Sequence, residues 1–172
     1  MKKALIIVDY QNDFIDGCLG FKKALDLKAE ILRLCKEFQS QNARLIFTLD
    51  THGKDYLQSK EGLNLPILHC QKGTLGHKMP SEFKSFLKNG LCFEKGSFGS
   101  LELANFLKNE NFDELHFAGL ISHICVFHNI ILAFNALPNA RLILHTKASA
   151  SFDETLQNHA FELLKAFWVE FV

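Results

Sequence analysis

The 172-residue chain has no excess charge of either sign, since 19 Lys and Arg stand against 19 Asp and Glu. That balance, with no basic run, excludes the broad electrostatic footprint by which proteins hold nucleic acid or an anionic membrane. Proline is scarce, with three residues, and 17 Phe supply ample core material, which excludes disordered and low-complexity classes. No apolar run approaches the about 18 residues of a membrane span; the greasiest stretch, Ile130 to Phe134, is interrupted by Asn129 and Asn135. Five cysteines without a CxxC spacing make an odd count, which excludes a disulfide scaffold. The N-terminal MKKALIIVDYQNDF has two lysines and a short apolar run, but Asp9 closes that run and no small-residue cleavage site follows. It reads as a first strand, not a signal peptide. What remains is one soluble, cytoplasmic domain over residues 1–172.

A short β-branched or aromatic run followed by a longer amphipathic stretch recurs along the chain. Strands are expected at Leu5–Val8, Arg44–Leu49, Leu91–Phe93, Leu115–Leu120, from Leu142, and at Trp168–Phe171. Helical spacing joins Leu27, Ile31, Leu34 and Phe38, covers Leu101 to Leu107, and runs from about His123 to Leu137. Ser151-Phe-Asp-Glu154 has capping-box spacing and opens a last helix to about Phe167. Alternation of this kind predicts an α/β fold, a six-stranded, mostly parallel, Rossmann-like sheet with helices on both faces. Asp50 to Pro80 is the one long segment with little periodicity, and a loop of that length in a compact domain is usually functional.

Ligands of open α/β sheets bind outside the carboxyl ends of the strands. Four successive strand exits deliver Asp9, then Asp50 and His52, then Glu94 and Lys95, then Ser122 to Cys125. If Ser122 caps the helix, Cys125 lies in its first turn, where free N–H groups and the helix dipole favour a thiolate. Asp9 as a base and Lys95 as a cation are the company a nucleophile needs. Cys35, Cys92 and Cys18 read as small buried hydrophobes. The Asp50-x-His52 pair, with Glu61 and His69 further along the loop, offers carboxylate and imidazole to a divalent ion. Spacing alone leaves the alternative that Asp50 caps a turn and His69 packs near Cys70. Among the other histidines, His116 reads as a satisfied core imidazole, His123 and His145 are open, and His77, His128 and His159 are expected at the surface.

The blocks LIIVDYQNDF at 5–14, LDTH at 49–52, LHCQKGTLG at 68–76, FEKGSFGS at 93–100 and AGLISHICV at 118–126 carry a resemblance. In their order and spacing the chain resembles the isochorismatase-like cysteine hydrolases, in particular the nicotinamidase/pyrazinamidase branch. The resemblance implies the isochorismatase-like hydrolase fold and a catalytic triad of Asp9, Lys95 and Cys125. It implies an oxyanion hole from the backbone N–H groups of Ile121 and Cys125, beside a cis peptide between Leu120 and Ile121. It further implies a metal held by Asp50, His52, Glu61 and His69, zinc first and iron or manganese as alternatives, and Phe14 in the substrate pocket. The implied reaction converts a small carboxamide, nicotinamide foremost, to its acid and ammonia through a thioester. Relatives commonly form homo-oligomers, so the same is expected here.

The chain also departs from that pattern. DTHGKDYLQS lacks a Trp, a Pro and a second His, and Leu65-Pro66-Ile67-Leu68 stands where an aromatic usually precedes the HC pair. These departures bear on the substrate more than on the hydrolase chemistry. They keep two alternatives in view: a metal-independent amidase for N-carbamoyl or ureido substrates, and a non-catalytic binding module on the same fold.

Overall fold

The computed structural model describes residues 1–172. Its strands are β1 (Lys3–Val8), β2 (Arg44–Asp50), β3 (Leu91–Lys95), β4 (Glu114–Gly119), β5 (Arg141–Ser149) and β6 (Glu170–Phe171). The helices are α1 (Asn12–Ile15), α2 (Lys22–Asp26), α3 (Lys28–Ser40), α4 (Lys60–Asn64), α5 (Lys84–Asn89), α6 (Leu101–Glu110), α7 (Phe127–Ala136) and α8 (Glu154–Ala166). All strand pairs are parallel, in the order β3-β2-β1-β4-β5-β6.

Why β1 and its neighbours read as unbroken apolar runs is evident from the two cores. Leu5, Ile7, Leu45 and Phe47 point to one face, where they meet Ile31, Leu34 and Phe38 of α3. Ala4, Ile6, Val8 and Phe117 point to the other, where they meet Leu103 and Leu107 of α6, Ile130 of α7 and Leu164 of α8. With period two along a strand, burial on both faces demands an apolar residue at every position. The strand order reverses direction between β1 and β4, so their carboxyl ends form the crevice where such sheets bind ligands.

Several expectations are corrected. The last helix is capped by Asp153, whose Oδ1 accepts from the Leu156 N–H at 2.9 Å; Ser151 Oγ instead accepts from the Asp153 N–H at 2.9 Å. The helix after β4 begins with a π turn, Ser122–Val126, and Ser122 is not its side-chain cap, because its hydroxyl is spent on Ser149 Oγ at 3.2 Å. The final strand shrinks to Glu170–Phe171, since Trp168 sits at a left-handed φ of 59° and cannot pair there. The segment from Asp50 to Pro80 contains a 3₁₀ turn, Tyr56–Gln58, and α4. No apolar period signalled the short helices α1, α2 and α5.

Candidate active site

Asp9 follows β1 directly in a left-handed conformation, φ 45°, which Asp tolerates better than most residues, and is fully buried. Lys95 closes β3 opposite Asp50 in the β2–β3 ladder. Its Nζ lies 2.6 Å from Asp9 Oδ2 and donates to Asp50 Oδ1 at 3.3 Å and to the Ser97 carbonyl at 2.9 Å. Cys125 Sγ is 3.6 Å from the same nitrogen. One buried ammonium therefore touches both carboxylates and the thiol. The Thr48 hydroxyl donates to Asp9 Oδ1 at 2.6 Å. Oδ2 faces Lys95 Nζ in the ion pair and has no other hydrogen-bond partner, so a lone pair stays available on it.

The electrostatics refine the thiolate expectation. Burial pushes the Cys125 thiol well up, the Lys95 charge opposes this, and the carboxylates of Asp9 and Asp50 add to it. Burial also raises the Asp9 carboxyl against the pull of Lys95, while the Asp9 and Asp50 charges hold Lys95 protonated against its own burial. Burial and the two carboxylates thus favour the thiol form of Cys125, and the same burial makes Asp9 a stronger base.

The turn that carries Cys125 is built by backbone. Gly119 at the end of β4 has φ 116°, and a Cβ there would fall 2.0 Å from the Val8 carbonyl oxygen. This close approach delivers the cis Leu120–Ile121 peptide beside Asp9. The Ile121 N–H donates to no backbone carbonyl, whereas the Ser122 N–H is anchored on the Ala150 carbonyl at 2.9 Å. Asn129, buried in α7, donates to the Cys125 carbonyl at 2.8 Å and to the Phe98 carbonyl at 3.1 Å, clamping the turn to the loop after β3.

Asp50, His52, Glu61 and His69 do come together, with ligand atoms within 4.8 Å of one another. His52 Nε2 lies 2.9 Å and His69 Nε2 3.5 Å from Asp50 Oδ2, and Glu61 Oε1 is 4.0 and 3.7 Å from the same two nitrogens. Tetrahedral ligands at zinc bond lengths stand about 3.4 Å apart, so the spacing fits an ion. His69 Nδ1 donates to the Ile67 carbonyl at 2.8 Å, which leaves Nε2 as the free lone pair, the outer-shell bond typical of a ligating imidazole. Burial alone would raise the Asp50 carboxyl, but the His52 hydrogen bond, the nearby His69 ring and the Lys95 charge hold it well below the usual range. Residues 11–13 brace the loop carrying His69. Gln11 Nε2 donates to the Asp50 and His77 carbonyls at 2.9 and 2.7 Å, and Asp13 Oδ2 accepts from the Cys70 N–H at 2.7 Å.

A chamber of about 390 Å³ joins the two clusters, bounded by Cys125, Ile121, Asp50, His69 and Glu61, with Phe14 among its apolar walls. Phe14 packs edge-on against His69, ring centroids 5.6 Å apart. A more polar cleft of about 890 Å³ opens beside it and shares Glu61, Leu65, Phe98 and Ile124.

Other residues fall differently from their sequence reading. His77 is buried and bonded to Thr51 Oγ1 at 2.8 Å instead of facing solvent, and Cys18 and Cys92 are exposed while Cys35 is buried. His116 is satisfied by Glu114 at 2.7 Å and His145 at 2.9 Å. His123 bonds Ser151. The roles of Thr48 in β2, Asn129 in α7 and Gln11 between β1 and α1 are not among the sequence expectations, although a polar residue set among buried apolar ones must have a partner, and that is the available signal.

A parallel sheet whose switch point gathers a buried carboxylate, ammonium and thiol defines an α/β enzyme. The isochorismatase-domain family model matches residues 3–171. The isochorismatase family protein PncA of Bacillus subtilis (strain 168) is 31% identical over 95% of this chain and 93% of its own. The crystal structure of the nicotinamidase/pyrazinamidase PncA from Bacillus subtilis superposes with a TM-score of 0.87 at 27% identity, covering 100% of both chains. The pyrazinamidase of Pyrococcus horikoshii in complex with zinc gives 0.85 at 19% identity over 100% of this chain and 99% of that one, a likeness of fold. The chain belongs to the isochorismatase family and is a hydrolase of it.

Proposed function

We propose that this hydrolase is a cysteine amidohydrolase that converts a small neutral carboxamide, nicotinamide foremost, to its acid and ammonia. The observation that carries the reading is the contact of Lys95 Nζ with Asp9, Asp50 and Cys125 at the wall of a chamber that also holds the four-donor cluster.

Asp9 Oδ2 takes the Cys125 proton as Sγ attacks the amide carbonyl carbon. The oxyanion is held by the N–H groups of Ile121 and Cys125, an arrangement worth about 10²–10³ in rate per donor. Lys95 keeps the developing thiolate and the carboxylate in register. As the tetrahedral species collapses, Asp9 returns the proton to the leaving nitrogen and ammonia departs. Water, deprotonated by Asp9, then cleaves the thioester and the acid leaves with the thiol restored. Asp50, His52, Glu61 and His69 would hold a divalent ion, zinc first and iron or manganese otherwise, which when bound would supply Lewis acidity for a ring nitrogen of the substrate. The nicotinamidase among the structural neighbours and the zinc of the Pyrococcus protein support that reading.

The N-carbamoyl reading has less support, because it is metal-independent and leaves the four converging donors without a role. Five free cysteines suit a reducing cytoplasm, no helix is long and apolar enough to cross a membrane, and a homo-oligomer is expected by likeness to relatives. Ammonia release from nicotinamide by metal-replete protein, abolished in Cys125→Ala, is the test. Failure to turn over any small amide, carbamoyl compound or ureide would return the chain to the binding-module alternative.

A further inference from the structure

Resting on that reading, the outer end of the chamber says which amides it takes. Its inner lining is buried: Cys125, Ile121, Phe14 and His69 are all nearly inaccessible. Its outer lining is aromatic and open, with Phe98 38% and Phe152 62% exposed and Phe21 partly so. These three rings come from separate segments, ahead of α2, after β3 and ahead of α8, and none belongs to the triad or the four-donor cluster. They are held in place. Phe152 stands edge-on to Phe21 at 6.3 Å and to His123 at 5.4 Å, and His123 is itself fixed by Ser151 Oγ on Nδ1 at 2.8 Å. Behind the rings, Lys23 and Glu154 pair at 3.2 Å and tie α2 to the start of α8. The only ionisable side chains lining the chamber are Cys125 and three members of the four-donor cluster, so its outer walls offer nothing to a charged substituent.

A chamber of about 390 Å³ lies within the range of pockets that enclose drug-sized ligands, larger than a single six-membered ring with its amide requires. We propose that Phe21, Phe98 and Phe152 form an aromatic collar that widens the substrate range beyond nicotinamide, binding uncharged carboxamides of fused or aryl-extended heteroaromatic rings more tightly than single-ring amides. With the amide at Cys125 and the first ring in the buried part, a second ring meets the collar and covers aromatic surface otherwise left in water. Ring-on-ring contact of this kind corresponds to about tenfold in affinity.

The test uses metal-replete Cys125→Ala protein and calorimetric titration with nicotinamide and quinoline-3-carboxamide, beside ammonia release by the intact enzyme. The collar requires about tenfold tighter binding of the quinoline amide, a preference lost in Phe152→Ala and kept in Phe152→Trp. Phe21→Ala serves as a second truncation should Phe152→Ala not fold. Equal binding of the two amides, no binding of either, or a preference indifferent to both truncations overturns it. Absence of ammonia release from either amide sinks the hydrolase reading separately, because the binding preference is read on the Cys125→Ala protein regardless of turnover.

Discussion

Replacing Thr48 by Val tests the division of labour between the two oxygens of Asp9. The side chains are nearly the same shape, Thr48 is fully buried, and the change removes one 2.6 Å hydrogen bond to Asp9 Oδ1. A hydrogen bond to a charged group contributes about 1.5–3 kcal/mol. Part of that loss appears as stability. The rest appears in chemistry, because the Thr48 bond opposes the burial that raises the Asp9 carboxyl, and without it the carboxyl rises further. The base then has to be deprotonated at higher pH. The acidic limb of the kcat/KM profile should therefore move upward, and kcat/KM on that limb should fall by up to about 10–100-fold, the ceiling reached if all of the ~1.5–3 kcal/mol appears in chemistry at about 1.4 kcal/mol per factor of ten. Thr48→Ser restores the donor and should restore the limb. An acidic limb that stays in place in a folded Thr48→Val enzyme would refute the assignment of Asp9 as the base oriented by Thr48.

Two further outcomes follow from the same kind of reasoning. Burial, then the charges of His116 and Arg33, hold His145 down to about 4, against about 6.5 in an unfolded chain, so the unfolded chain takes the proton first. Stability should fall as pH drops from about 6.5 to about 4, by about 1–2 kcal/mol after discounting the partly exposed ring, and His145→Gln should remove that slope in urea titrations; an unchanged slope refutes it. Zinc at a hundredfold over its dissociation constant should stabilise the protein by about 2.7 kcal/mol, or about 5–10 °C in Tm, and Glu61→Ala should diminish the shift; a Tm indifferent to zinc, iron and manganese argues against the four-donor site.

The alternation of strands and helices was legible because burial on both faces of a parallel sheet forces continuous apolar runs, as at Leu5–Val8. The site residues were legible because the carboxyl ends of the strands are where side chains leave the core, and Asp9, Asp50, Lys95 and Cys125 each stand there. The π turn at Ser122–Val126 was not, since one extra residue in a helical turn leaves the apolar spacing almost unchanged. Ser151 was misread as a cap because Ser151 and Asp153 both have the chemistry of an N-cap and only the backbone decides which N–H groups are left free. The collar rings were invisible for a different reason. Phe21 and Phe152 are distant in sequence, neither lies in a motif block, and only the fold brings their centroids to 6.3 Å.

The charge balance of the site links its two halves. Asp9, Asp50 and Glu61 bring three carboxyl groups into or against one buried chamber, and Lys95 is the ammonium that reaches the first two. Left so, the region is short of positive charge. Burial is the first cause that raises the carboxyls of both Asp9 and Glu61; the Asp50 charge adds to it, directly after burial in Glu61 and after the opposing pull of Lys95 in Asp9. A dication on the four donors would supply the missing charge at the oxygen that His52 and His69 already approach. It would thereby relieve the Asp50 repulsion that Asp9 feels, and a neutral amide would meet a site whose charges cancel. The four-donor cluster and the Asp9–Lys95–Cys125 trio are therefore one electrostatic unit, with Asp50 as the shared member.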